Sequence, residues 1–178
     1  MGVLPERIDG ERMVLRCWRV EDAEAQAAAL SESESHLRPW MAFMNQPPLS
    51  IEARRALLAK WETERLEGDD AVYGVFVADA IAGGCGLHRR LGPGALEIGY
   101  WVHPSFTGRG VATEAVNLLA EAAFSIPGIS RVEIHYDKAN ARSAAIPRRL
   151  GFRFVGEEPD QADAPAEVGV ECRWRLER

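Results

Sequence analysis

The sequence has few cysteines and no long apolar run. Its three cysteines, Cys17, Cys85 and Cys172, are far apart and form no Cys-x-x-Cys pair, which argues against a disulfide framework and against a thiolate metal site. No apolar run reaches the roughly 18 residues that a membrane-spanning helix needs, and the first residues lack the apolar core of a signal peptide. We therefore expect a cytoplasmic protein without a membrane segment.

Positive charge is also scarce. The 21 Lys and Arg residues are outnumbered by 27 Asp and Glu, which gives a net charge of −6. A broad cationic surface for nucleic acid is therefore not expected, although a local basic cluster could still bind one small polyanion. The four histidines have no paired metal-ligand spacing, so we expect them at structural or surface positions and predict no metal. They are His36, His88, His103 and His135.

Hydrophobic patterning predicts one α/β (α+β mixed) domain over residues 1–178, with a mixed central sheet of about seven strands flanked by helices. The predicted strands are residues 12–18, 71–78, 81–90, 96–102, 131–136, 152–156 and 168–176. The predicted helices are residues 20–30, 51–66, 111–125 and 140–150, and the predicted irregular segments are 31–50 and 157–165. Short turns make the strands at 71–102 antiparallel neighbours, whereas the helix at 111–125 makes the next strand parallel to the last of them.

Residues 97–114 combine an apolar strand, a glycine loop and a helix start. Gly108 and Gly110 let the backbone approach a ligand closely, and Arg109 between them adds a cation. Backbone N–H groups at the positive end of a helix dipole accept phosphate. An ordinary strand-to-helix turn has the same pattern, and a P-loop is disfavoured because no Gly-Lys-Ser/Thr follows.

Two further motifs follow this loop: Asn140 and Ser143 in an Asn-x-x-Ser pattern, and Gly151-Phe152 after a leucine. In this order and spacing, the three motifs resemble the GNAT superfamily of N-acetyltransferases, especially its Rim-type ribosomal-protein N-terminal acetyltransferases. The resemblance covers most of the chain. It implies direct transfer of an acetyl group from acetyl-CoA to a primary amine, either a protein N-terminus or a small molecule.

The resemblance also implies which residues bind coenzyme A. They are Tyr100, Trp101, Val102, Thr107, Gly108, Arg109, Gly110, Val111, Ala112, Thr113, Asn140 and Ser143. Thr107 departs from the Gln or Arg that is usual in the family, which predicts weaker phosphate binding. Pro147 stands where many members carry a tyrosine acid. These departures leave open a non-catalytic acyl-CoA sensor or partner-binding module.

Catalytic roles follow by the same resemblance. Glu97 matches a general base, and Ser143 matches the group that hydrogen-bonds or protonates the coenzyme thiolate. A solvated strand glutamate and a helix-terminal serine are the alternatives, and Asn140 has an equal alternative as a helix N-cap. Trp40 and Phe43, with Glu97, are the predicted acceptor contacts, against simple core packing of the two aromatic residues. A homodimer is left open.

Overall fold

The computed structural model describes residues 2–178. The strands are β1 (Arg7–Asp9), β2 (Val14–Cys17), β3 (Ala71–Val77), β4 (Ala80–His88), β5 (Ala95–Val102), β6 (Arg131–Asp137), β7 (Arg153–Pro159) and β8 (Val170–Glu177). The α-helices are α1 (Ala23–Glu32), α2 (Glu34–Leu37), α3 (Ile51–Leu66), α4 (Val111–Phe124) and α5 (Ala141–Arg149). Short 3-10 turns occupy Val20–Asp22, Ala42–Asn45 and Pro104–Phe106.

All strands join one mixed sheet in the order β1-β2-β3-β4-β5-β6-β8-β7. The predicted antiparallel meander β3-β4-β5 and the parallel pair β5–β6 are both confirmed. The sheet has eight strands because Arg7–Asp9 pairs antiparallel with β2. Three residues are too few to show an alternating pattern, so the sequence analysis missed β1.

The predicted loop at 157–165 is wrong in its first three residues, which belong to β7. The acidic pair Glu157 and Glu158 predicts a loop, because acidic residues are rare in strands. An edge strand with most of its side chains in solvent accepts them, and β7 is such a strand. The segment predicted as irregular at 31–50 contains the end of α1, the helix α2 and a 3-10 turn.

Helices cover both faces of the sheet. α4 packs on one face, where Val111, Leu119 and Ala123 join the main buried core with Leu96 and Ile98 of β5. α1 and α3 pack on the other face, where Trp18 and Leu58 form a second core cluster. This two-sided arrangement leaves the ends of β5 and β6 between the helical layers, where the candidate site lies.

Between residues 2 and 178, no helix combines the length and the apolarity needed to cross a membrane. All three cysteines are unpaired and buried, and burial raises the pKa of the Cys17 thiol to about 12. No group of His, Cys, Asp and Glu side chains in this part of the chain is arranged to hold a metal ion.

Candidate active site

The centre of the sheet opens between β5 and β6. The two strands pair only from Ala95 to Glu97 on β5 and from Arg131 to Glu133 on β6. Both strands continue beyond these pairs, β5 to Val102 and β6 to Asp137, without pairing with each other. The backbone of residues 98–102 therefore faces an opening in the sheet, where an extended ligand can take the hydrogen bonds of the missing strand.

The glycine loop lies at the mouth of this opening. Gly108 and Gly110 both have a positive φ, +72° and +78°, and Gly110 is the N-cap of α4. The Glu114 N–H donates to the Gly110 carbonyl at 3.0 Å. Within residues 2–178, the N–H groups of Val111, Ala112 and Thr113 have no acceptor. They lie at the positive end of the α4 dipole, a geometry that suits a phosphate group.

Two arginines lie at the loop. Arg109 is exposed, and Arg12 lies beside it, with its Nη1 3.4 Å from the Arg109 carbonyl oxygen. Glu114, in the first turn of α4, accepts from Arg12 Nε at 2.9 Å and so fixes the Arg12 side chain at the loop. The Thr107 hydroxyl donates to the Pro104 carbonyl at 2.9 Å, which holds the loop rather than leaving that hydrogen for a phosphate.

Glu97 and Tyr100 project from opposite faces of β5, because side chains alternate along a strand. The Tyr100 hydroxyl lies 2.8 Å from Ser143 Oγ on the α5 side of the sheet. Burial raises the pKa of Tyr100 to about 12, so the phenol keeps its proton at neutral pH. The Asn140 side chain accepts from the Ser143 N–H at 3.3 Å and caps α5.

Glu97 lies on the other face, within a charged network. Arg90 donates two hydrogen bonds to it, Nε to Oε2 and Nη2 to Oε1, each 2.8 Å long. His135 Nδ1 is 3.9 Å from Glu97 Oε2 and 3.4 Å from Glu171 Oε1. His135 is two residues beyond Glu133, the last residue of β6 that pairs with β5, and so lies where the strands separate. This face of the opening therefore presents an imidazole between carboxylates.

Glu133 orients His135. Its Oε2 is 2.8 Å from His135 Nε2, and its Oε1 accepts from Arg175 Nε at 2.8 Å. Burial opposes the charged form of Glu133, but the hydrogen bonds from His135 and Arg175 outweigh it and hold the Glu133 pKa below its ordinary value. A carboxylate at Glu133 favours the tautomer of His135 with hydrogen on Nε2, which leaves Nδ1 as an acceptor in the neutral ring.

The family follows from comparison with known proteins. The model of the acetyltransferase (GNAT) domain matches residues 12–153 of the chain. The chain belongs to the GNAT acetyltransferase family. It is therefore an acetyltransferase, and its curated relatives are named N-acetyltransferases.

Curated relatives and solved structures agree with this assignment. The chain is 28% identical over 152 residues to "Putative ribosomal N-acetyltransferase YdaF" of Bacillus subtilis, with 84% of this chain and 82% of the relative covered. The fold matches RimL, a ribosomal L7/L12 alpha-N-protein acetyltransferase in complex with coenzyme A, at a TM-score of 0.87 and 20% identity over 97% of this chain and 98% of that one. It also matches the microcin C7 self-immunity acetyltransferase MccE in complex with acetyl-CoA and AMP, at a TM-score of 0.88 and 18% identity over 99% and 98%.

In this GNAT domain, the segment before Trp40 contacts the loop between β7 and β8. The Ala166 N–H, in the loop between β7 and β8, donates to the Pro39 carbonyl at 3.0 Å. Trp40 follows Pro39 and is half-buried, whereas Phe43 is 51% exposed in the next 3-10 turn. Phe43 is therefore not a core residue. A role for Trp40 and Phe43 in binding an acceptor stays a prediction.

The sequence did not predict that three further residues lie near the site. Arg12 comes to the loop from the segment just before β2, 97 residues away along the chain from Arg109. The sequence predicts a structural or surface role for His135, and the structure places its Nδ1 3.9 Å from Glu97 Oε2. Tyr136 is close enough to Tyr100 to contribute to raising the Tyr100 pKa. The only sequence signal was that His135 and Tyr136 stand at the end of a strand parallel to β5.

Proposed function

We propose that this enzyme transfers the acetyl group directly to a primary amine, with the thioester and the amine bound together. Coenzyme A would lie along residues 98–102, with its pyrophosphate at the N–H groups of residues 111–113. Glu97 would accept a proton from the amine, directly or through water, and Ser143 would give a proton to the departing sulfur. Glu97 then releases its proton to water and Ser143 regains one, so amine and thioester become amide and thiol.

One observation carries this proposal: the separation of β5 and β6 after Glu97 and Glu133. An opening at this point connects the two faces of the sheet. The Ser143 hydroxyl lies on one face and the Glu97 carboxylate on the other. A thioester held in the opening would therefore have its sulfur near a hydroxyl donor and its carbonyl carbon open to an amine from the opposite side.

The acceptor is proposed to be the α-amine of a peptide or the amine of a small molecule. RimL is named a ribosomal L7/L12 alpha-N-protein acetyltransferase. A stretch of 71 residues, 40% of this chain, is 31% identical to spermidine N(1)-acetyltransferase of Escherichia coli strain K12. The net charge of −6 favours a cationic acceptor of either kind. A cytoplasmic location and the absence of nucleic-acid partners remain predictions, and a homodimer remains open.

The test is thiol release from acetyl-CoA over a panel of peptides with different N-terminal residues and of small amines. We expect turnover with at least one acceptor. Glu97→Gln should then lower kcat by roughly 10²-fold or more and change the pH profile, while coenzyme A affinity stays the same. An unchanged rate and pH profile in Glu97→Gln would show that the proton acceptor lies elsewhere.

A non-catalytic acyl-CoA sensor is the second candidate, and it is motivated by Thr107 and Pro147. Thr107 uses its hydroxyl within the loop, and Pro147 has neither a hydroxyl nor an N–H to offer. Tight binding of coenzyme A with no thiol release on any acceptor would favour this candidate over the transferase.

A further inference from the structure

The Ser143 hydroxyl makes its hydrogen bond outside its own helix. A Ser or Thr hydroxyl in a helix can bond to a carbonyl in the preceding turn. Three of them do so here, with oxygen to oxygen distances of 2.7 to 3.1 Å: Ser33, Thr63 and Ser125. The hydroxyl of Ser143 instead lies 2.8 Å from that of Tyr100 and has no carbonyl acceptor in the described chain.

Pro147 accounts for a second contact at the same place. Residue 147 of a regular helix donates its N–H to the carbonyl of residue 143, but proline has no N–H. Pro147 lies inside α5 and is buried, so the Ser143 carbonyl lacks its helical donor. The Tyr100 hydroxyl lies 3.4 Å from that carbonyl. It therefore faces both oxygen atoms of Ser143, and its shorter contact is to Oγ.

We propose that Tyr100 is a positioning residue that donates a hydrogen bond to Ser143 Oγ and so directs the Ser143 hydroxyl hydrogen toward the coenzyme sulfur. This inference rests on the proposed function and assigns Tyr100 a role beyond contact with the cofactor. In this arrangement, Ser143 cannot use its hydroxyl on its own helix. Pro147 stands where many family members carry a tyrosine acid. Because it has no N–H, it leaves the Ser143 carbonyl available as a second acceptor for the Tyr100 hydroxyl.

The surroundings of Tyr100 support a donor rather than a phenolate. Burial raises its pKa to about 12, against a smaller lowering from the Ser143 hydrogen bond. The ionisable groups that face it are Tyr136 on β6 and Cys85, its partner on β4. The pKa values of both are raised by burial, so both are neutral at neutral pH. Tyr100 thus keeps its proton throughout the reaction and only orients Ser143.

The first experiment compares Tyr100→Phe with a matched loss of a buried tyrosine hydroxyl. We expect Tyr100→Phe to lower kcat roughly tenfold at saturating acetyl-CoA and acceptor, without changing the Kd for coenzyme A, because the loss of one orienting hydrogen bond costs about one factor of ten. Tyr73→Phe is the control, since its hydroxyl donates to the Pro5 carbonyl at 2.8 Å away from the opening. It should lose stability and keep its kcat.

Coupling between the two hydroxyls is the specific readout. In Ser143→Ala, the further change Tyr100→Phe should have almost no effect on kcat, because Tyr100 would act only through Ser143. Independent effects that multiply in the double variant would overturn the proposal. So would a Tyr100→Phe enzyme with normal kcat, or one whose only defect is weaker coenzyme A binding.

A polyfluorinated tyrosine at position 100 covers the case in which the phenylalanine variant folds poorly. It keeps the shape and the hydroxyl but has a more acidic phenol, so the donated hydrogen is lost at a lower pH. The alkaline limb of kcat should therefore move to lower pH, whereas a packing role predicts no move. If the wild-type enzyme acetylates no acceptor, the proposed function fails; if the wild type turns over and these changes have no effect, only the Tyr100 role fails.

Discussion

Replacing Gly110 with alanine isolates the part of the site that backbone geometry alone creates. Gly110 is the N-cap of α4 and has φ +78° and ψ 4°. A Cβ built there would meet only Arg12 Nη2, at 3.5 Å, which is an ordinary contact. The cost of Gly110→Ala is therefore the left-handed conformation itself, about 1–2 kcal/mol for a residue other than glycine.

That strain should be visible in two measurements. Urea unfolding should report a loss of about 1–2 kcal/mol if the loop keeps its conformation. If the loop relaxes instead, the N–H groups of residues 111–113 no longer converge, and calorimetric titration should show coenzyme A affinity falling by a factor of roughly 5–30, which is the same free energy expressed as a ratio. The loss of unfolding free energy and the loss of binding free energy should together be about 1–2 kcal/mol, the full cost of the left-handed conformation.

Gly92 provides the control. It has φ +83° in the turn between β4 and β5, and a Cβ there would meet nothing within 4 Å. Gly92→Ala should lose about the same stability as a strained Gly110→Ala, yet bind coenzyme A like the wild type. Wild-type affinity together with wild-type stability in Gly110→Ala would refute the assignment of this turn as the pyrophosphate site.

Two further predictions concern side chains that hold the site in place. Asp137 accepts from the N–H groups of Ala139, Val168, Gly169 and Val170; burial raises its pKa, but these donors outweigh it and leave the pKa below its ordinary value. Its contribution to stability is therefore present above the unfolded pKa of about 3.9 and lost as the pH falls through the folded pKa. Asp137→Asn should cost about 1–3 kcal/mol in urea unfolding at pH 7 and less at low pH. A loss at low pH as large as the loss at pH 7 would contradict this prediction. Arg12→Gln should weaken coenzyme A binding about two- to tenfold at low salt and less at high salt, because its exposed guanidinium acts by charge; a loss independent of salt would indicate a packing role instead.

The strand order illustrates what can be predicted from the pattern along the chain. β3, β4 and β5 show the apolar pattern and short turns of a meander, and the helix α4 forces β6 to run parallel to β5. These are local properties, since turn length and side-chain periodicity act over a few residues. β1 was missed because its three residues carry too little pattern, and the end of β7 was missed because only its place at the sheet edge permits glutamates there.

The site divides in the same way. Gly108 and Gly110 before an amphipathic helix predict a tight glycine turn with free N–H groups, because the left-handed backbone and these N–H groups belong to that short segment. The sequence by itself therefore determined the loop, the helix that follows it and, through the family resemblance, the chemistry. Only the tertiary structure decided where the strands separate and that Arg12 reaches the loop. It also decided that Arg90 and His135 lie beside Glu97, and that the Tyr100 hydroxyl lies within hydrogen-bond distance of the Ser143 hydroxyl. Each of these depends on distances between residues far apart in the chain, which are set by sheet register and helix packing and by no local pattern.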